Sequence, residues 1–250
     1  MAKTVLLNTR IFAAGADLTS RSNKVEMSCE IEDKDATAFR ATDDPEAGWK
    51  EVLGGLASTS ITGSGQWEAG DPGKVDDMAW TNLSGLTTHP WTVCPLSAAV
   101  GDLAYSSSGL ITSYKLGEAV GEVAPWEAQA KGSGMLVRGQ VAHPPGTART
   151  ASGNGTGLNL GALSASQRLF ASLHVLSATG TTPSLTVRVE SDADDAWASP
   201  TTQATFTAAT AAGGQSTEVL GAITDTWWRV AWTITGTSPS FLFVASLGIA

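Results

Sequence analysis

Charge is scarce in this chain: Asp, Glu, Lys and Arg make up 16% of its 250 residues, against roughly 25% in an ordinary soluble domain. Cysteine is scarcer. Cys29 and Cys94 are too few for a disulfide framework and are not spaced as metal ligands. Each lies among apolar strand residues, so each is expected as a buried free thiol. No apolar run approaches the ~20 residues that cross a bilayer. Only three consecutive apolar residues precede Asn8, short of the about 7–15 of a secretory h-region. The chain is therefore expected to be made in a cytoplasm, outside disulfide-forming compartments, and the sequons at Asn82 and Asn154 carry no weight. The Glu/Lys/Leu/Ala loading of a helical bundle is missing, yet 42% hydrophobic residues are too many for a disordered chain. A net charge of −9 argues against gripping nucleic acid by neutralising phosphates.

What fills the gap is Gly (27), Thr, Ser and Ala, with nine Trp. Residues 1–145 hold 18 acidic and 11 basic side chains, and residues 146–250 hold 6 and 4. Between the two parts, the Pro/Gly/Ser/Thr stretch from His143 to Gly157 has no periodicity and reads as a linker. The expected organisation is a β domain over 1–145, a linker over 146–157 and a second β domain over 158–250.

Val25, Met27, Cys29 and Ile31 alternate with Glu26, Ser28, Glu30 and Glu32, the period of two of a strand with one apolar and one acidic face. Asp43-Asp44-Pro45-Glu46 carries helix-start signals. With Trp49, Val52 and Leu53 as its apolar stripe and Gly54-Gly55 as its stop, a helix is expected over 45–53, anchored by Trp49. A second short helix is expected at 74–83. Strands are expected at about 57–67, 89–96, 108–116 and 134–142. In the second half they fall at 169–176, 185–190, 204–207, 227–235 and 241–247, separated by turn signals, which suggests a sandwich or a partly open barrel. No exact internal repeat stands out, although both halves end in a long strand-rich segment, as a duplication would leave them.

Catalytic constellations are hard to build. His89 and His143 precede prolines and His174 lies in an apolar strand, so each reads as a loop or core histidine. No nucleophile elbow, zinc-protease or Walker pattern occurs. Gly153-Asn154-Gly155-Thr156-Gly157 shares only its glycines with a phosphate loop. Asp76-Asp77 and the run Glu190–Asp195 are the acidic clusters that could suggest Ca²⁺, but the second lacks the Gly and distal Glu of an EF-hand loop. A solvated turn or a helix N-terminus is the plainer account of both. No catalytic residue, metal ligand or cofactor site is assigned. The row Glu26, Glu30 and Glu32 repels itself and requires a wet face; it is either an ordinary solvated strand face or a surface past which a polyanion slides.

The segments Ile11–Thr19, Ser22–Glu26, Glu32–Phe39, Gly48–Ser58 and Gly63–Gly70 resemble the opening of the tail tube (major tail) proteins of long-tailed bacteriophages. Pro183–Val187, Thr226–Val230 and Gly236–Phe241 are similar to segments of phage tail proteins. The resemblance implies a mainly β, tail-tube-type sandwich or barrel with a short flanking helix, plus a second sandwich-like half. That half is either a duplicated tube-like domain or an exterior decoration, since a one-domain tube subunit would not need it. It implies a non-enzymatic virion protein, assembled in the host cytoplasm, whose rings of three or six chains stack into the tail tube. Its partners would be further copies of itself and the tape-measure and tail-end proteins. Genome DNA would pass through without specific binding, and no membrane is involved. Twenty-four strands spaced ~4.8 Å and tilted ~40° close a circle about 48 Å across, wide enough for a duplex, where twelve would not be. On this reading Glu26, Glu30 and Glu32 face the lumen, where an acidic wall repels phosphates, and low charge suits subunits buried against neighbours. The alternative is a carbohydrate-binding β-sandwich with Trp stacking platforms. A hydrolase lacks a nucleophile–base pair.

Overall fold

The computed structural model describes residues 6–39, 43–46, 48–70, 74–83 and 87–250, and most of them lie in β-strands. The strands are β1 (Arg10–Ala13), β2 (Ala16–Asp17), β3 (Ser22–Asp35) and β4 (Val52–Gln66), then, after helix α1 (Val75–Asn82), β5 (His89–Cys94), β6 (Leu103–Leu116), β7 (Pro125–Gly132) and β8 (Val137–His143). The second half adds β9 (Gly153–Asn154), β10 (Leu158–Asn159), β11 (Arg168–Asp192), β12 (Thr201–Thr205), β13 (Gly213–Leu220) and β14 (Trp227–Ile249). All fourteen join one sheet, with the path β12-β11-β14-β8-β6-β5-β1-β2 and a branch in which β3, β4 and β7 reach β6. The mainly β architecture with one short helix is as expected.

Strand β6 holds the branches together. Its first part pairs with β5 and β8, and its end, Gly109–Leu116, pairs with β7. Three apolar clusters follow. One, around Ile11, Ile61, Trp91, Ile111 and Trp126, sits under the β3–β4–β7–β6 sheet. A larger one, from Ala142 to Leu247, fills the second half. A small one, including Phe12, Cys94, Val141 and Val244, lies between them.

The helix is α1, the one expected at 74–83. Val75, Met78 and Ala79 are its buried stripe, the i, i+3, i+4 spacing of an amphipathic helix. Asp76 is held by Trp67 Nε1 at 3.0 Å and the Tyr114 hydroxyl at 2.7 Å. The helix expected over 45–53 does not form: none of the described residues from 43 to 51 is helical, and Val52 and Leu53 open β4, paired with Asp35 and Lys34. Trp49 is 74% exposed and anchors no helix among the described residues. A helix this short persists only where packing supports it, and Trp49, Val52 and Leu53 all stand exposed.

In the second half the expected strands fuse. Segments 169–176 and 185–190 are both parts of the 25-residue β11, and 227–235 and 241–247 of the 23-residue β14. The two pair antiparallel from Leu169↔Ile249 to Asp192↔Trp227. At their midpoint, where Thr181 faces Thr237, both bend through near-identical segments, Gly180-Thr181-Thr182-Pro183-Ser184 and Gly236-Thr237-Ser238-Pro239-Ser240. Gly180 and Gly236 take φ of 118° and 123°, and Thr182 and Ser238 take 47° and 50°, angles that break strand geometry without ending the pairing. The turn signals thus mark a fold in a continuous ribbon, and the near-repeat appears once the bends are set side by side. Leu173 and Val175 from before the bend meet Leu185, Val187 and Val189 from after it in one core. The ribbon therefore doubles over into a sandwich.

The stretch 146–157 is stitched to β14 rather than running free. Arg149 and Phe241 exchange backbone hydrogen bonds of 2.7 and 2.9 Å, β9 pairs with Ala231 and Trp232, and Trp232 Nε1 donates to the Ala151 carbonyl at 3.0 Å. Its glycines serve aromatic packing: the ring of Trp232 covers Gly153. Near one end of the sandwich the buried Glu190 accepts from Arg229 Nε and Nη2 at 3.0 and 2.9 Å, and the guanidinium lies 4.1 Å from the centroid of Trp197.

Candidate assembly surface

The residues singled out on β3 belong to a four-stranded antiparallel sheet in the order β3-β4-β7-β6. Alternation fixes its two faces. Val25 and Met27 turn toward the first core with Ile61, Trp126, Ala128, Ala130, Ile111 and Tyr114. On the other face the register aligns Lys24, Ser64, Glu127 and Lys115 in one row, and Glu26, Thr62, Gln129 and Ser113 in the next. Ser28, Ser60, Lys131 and Leu110 form a third row, and Glu30 pairs with Ser58. All but Leu110 are polar.

Glu26 and Glu30 thus share a wet face, while Glu32 sits in a shift of the β3–β4 register between Ile31 and Asp33. Lys24, Lys115 and Lys131 share that face. Lys24 lies 3.0 Å from Glu26, Lys115 is 3.4 Å from Glu127, and Glu32 pairs with Lys34. The face is charge-balanced, not the bare row of carboxylates that β3 alone suggests. The missing cations stand in the sequence: Glu127, Gln129 and Lys131 alternate with Trp126, Ala128 and Ala130, the same period of two.

Two edges of this sheet are unpaired among the described residues: β3 pairs only with β4, and the Leu110–Leu116 part of β6 only with β7. The far end of the β3–β4 hairpin also extends past β7, which stops at Ser60. There Ile31 (67% exposed), Leu53 and Leu56 (82%) stand in solvent, and Trp49 and Phe39, between β3 and β4 in sequence, are exposed as well. Cys29, expected buried, is exposed for the same reason, while Cys94 is buried and its thiol pushed up to about 12. A two-stranded ribbon with apolar, unpaired edges is marginal alone and is a template for a further chain.

The remaining candidates resolve into structural roles. Asp76 and Asp77 lie in the first turn of α1, Asp77 accepting from Gly70 N at 3.2 Å. Asp192 caps its own turn, accepting from Ala193 N and Ser199 N at 2.7 and 3.0 Å. Among the described residues no group of three or more His, Cys, Asp or Glu is placed to hold a metal, and no described helix is long and apolar enough to cross a membrane. His143 is stacked on Phe243 with ring centroids 4.0 Å apart. Its Nδ1 lies 3.0 Å from the Phe243 carbonyl, and its Nε2 accepts from Arg149 Nε at 3.2 Å. Burial pushes it down to about 4. His174 accepts from Gly15 N at 3.4 Å, lies 3.0 Å from Thr92 Oγ1, and is pushed by burial down to about 3. Both are neutral core groups at neutral pH. Of the Trp residues, 91, 126, 228 and 232 are buried and serve as core.

No family model matches the chain, and no curated protein does. Among solved structures, a chain of the virion of a native gene transfer agent particle aligns at 20% identity over 54% of this chain and 97% of its own, with a TM-score of 0.41. The Dit protein of phage SPP1, described as a hub of the adsorption apparatus of phages infecting Gram-positive hosts, aligns at 12% identity over 97% of this chain and 99% of its own, TM-score 0.33. A chain of the sheath–tube complex of an extracellular contractile injection system aligns at 14% identity over 56% and 93%, TM-score 0.38.

Proposed function

We propose that this chain is a structural, non-enzymatic subunit of a phage-type tail tube. One observation carries the reading: a four-stranded sheet, polar on one face and packed on the other, with an unpaired strand at each side. In the order β3-β4-β7-β6 the strand directions alternate, so β3 of a second copy laid against the free end of β6 continues the alternation. Four strands per copy and 24 strands per ring make six copies, since the described residues hold one such sheet. The polar face then lines the channel, with Glu26 and Glu30 balanced by Lys24, Lys115 and Lys131 between rows of hydroxyls. Such a wall neither holds a polyanion nor expels it. The exposed apolar end of the hairpin docks on the next ring, and the folded-ribbon half lies outside as a second domain from about residue 158.

Size-exclusion chromatography with light scattering, followed by negative-stain microscopy, tests this directly. Rings or tubes are expected as concentration rises. The double variant Ile31→Lys/Leu56→Lys, both positions exposed, should keep the fold yet fail to stack. A persistent monomer at high concentration in the presence of tail-assembly partners would refute the reading. Replacing Glu26, Glu30 and Glu32 by Lys should leave the subunit soluble and slow DNA passage, because Lys–phosphate contacts accumulate along a tube.

A further inference from the structure

A closed ring requires a definite register between β3 of one copy and the free edge of β6 in the next. Within one copy the ladders carry a row straight across the sheet, from Lys24 to Lys115, from Glu26 to Ser113 and from Met27 to Ile111. Repeating that row without a step would set Lys115 of one copy directly opposite Lys24 of its neighbour, a like-charge pair. It would also stand the strands parallel to the ring axis, whereas a closed barrel tilts them. The step has to be an even number of residues, because an odd one turns the polar face toward the core. By symmetry the six junctions are equal, and each residue rises ~3.3 Å against a strand spacing of ~4.8 Å. Steps of two, four and six residues per junction then tilt the strands by about 19°, 35° and 46°, and barrels keep about 35–45°. A step of six also sets Ser113 against Glu32, where the β3 ladder is itself interrupted.

We infer, on the ring reading above, that neighbouring copies pair with a step of four residues, so that Met27–Ile31 on β3 lies against Leu116–Ile111 on β6 of the next copy. A step of four in the other direction would set Lys115 against Ser20, in the 3-10 turn Thr19–Arg21 that precedes β3. In the inferred register the two faces of the sheet stay separate. On the core side Ile31 faces Ile111, Cys29 faces Tyr114 and Met27 faces Leu116. Ile31, Cys29 and Leu116 are exposed in the single chain, while Ile111, Tyr114 and Met27 already belong to the first core or pack against it. Each exposed edge residue is thereby covered by a core residue of the opposite edge, and the part of β3 that outruns its own body gains a floor. On the channel side Glu30 faces Ser113 and Ser28 faces Lys115. The diagonal neighbours of Lys115 are then Glu26 and Glu30, so the junction flanks the lysine with two carboxylates.

A disulfide register scan tests the step. Within one copy positions 30 and 113 stand three strand spacings, about 14 Å, apart, too far for a disulfide, so any cross-link joins two copies. In a full-length Cys29→Ser chain, Ser113→Cys is combined in turn with Glu26→Cys, Ser28→Cys, Glu30→Cys and Glu32→Cys, which report steps of zero, two, four and six. Cys94 is buried and stays in place. Under diamide oxidation at concentrations that form rings, the Glu30→Cys combination should cross-link fastest and give a ladder of linked chains on a denaturing gel. Faster linking at 26, 28 or 32 would overturn the step, as would rings in the microscope with no link at 30. Absence of both rings and links would overturn the ring reading together with its register. If the cysteine variants do not assemble, the native Cys29 gives a second readout. Its labelling by a maleimide should slow on ring formation, because Tyr114 of the next copy covers it; the same rate in dilute chain and in rings would refute the pairing.

Discussion

Acid should unlock the junction between the two halves. His174 on β11 ties the β1–β2 turn and β5 to the second half, and His143 on β8 ties β14 to the segment carrying Arg149. Both are buried and neutral, 1% and 2% exposed, with folded-state values of about 3 and about 4 against an unfolded 6.5. A depressed value means the unfolded chain takes up protons first. The stability each neutral histidine retains is therefore complete above pH 6.5 and is lost as pH falls toward the folded value. At about 1.4 kcal/mol per pH unit per group, each withdraws about 3 kcal/mol by pH 4. Together that is about 6 kcal/mol, the size of a typical domain's whole stability. No charged neighbour contributes to the lowering at His174; at His143 the Arg149 guanidinium adds to it. Urea unfolding of the dilute chain at a series of pH values from 6.5 down to 4 measures the slope. His174→Gln should flatten it by about 1.4 kcal/mol per pH unit while lowering stability at neutral pH through the lost Gly15 contact. An unchanged slope in that variant would refute the assignment.

Trp228→Ala empties the centre of the second core, where Trp228 is 0% exposed, and should cost about 3–5 kcal/mol by urea unfolding. Arg229→Met takes both close donors from the buried Glu190, leaves it only Arg188 Nε at 3.6 Å, and should cost up to about 3 kcal/mol; adding Glu190→Gln should recover much of that, and equal losses in the single and double variants would show the pair is not coupled. Trp49→Ala should change monomer stability by no more than about 0.5 kcal/mol, while weakening ring stacking in microscopy.

The strands were legible where period-two alternation met a buried face: β3, β5 and the flanks of β11 and β14 all carry it. Helix α1 was legible for the matching reason, since Val75, Met78 and Ala79 found a core. The helix expected at 45–53 carries equally good local signals, but Trp49, Val52 and Leu53 stand exposed among the described residues, a fact no window of sequence contains. Cys29 misled in the same way: its strand alternates correctly, but its end of the hairpin has outrun the body of the protein. The polar face was half legible. Its acids sit together on β3, whereas its lysines arrive on β3, β6 and β7 and join them only through register. In the stretch 146–157 the Gly-rich composition reads as freedom, whereas Trp232 lies over Gly153 and needs that backbone bare.

The doubled ribbon of β11 and β14 governs how the second half comes together and comes apart. Leu169 must find Ile249 and Asp192 must find Trp227, so its contacts are of high sequence separation, the topology that folds slowly. Because each strand gives one arm to each side of the sandwich, neither side can fray while the other stays intact. Hydrogen exchange across Leu185–Val189 and Leu169–Val175 should therefore report a single opening event, with both arms losing protection together, as one cooperative unit.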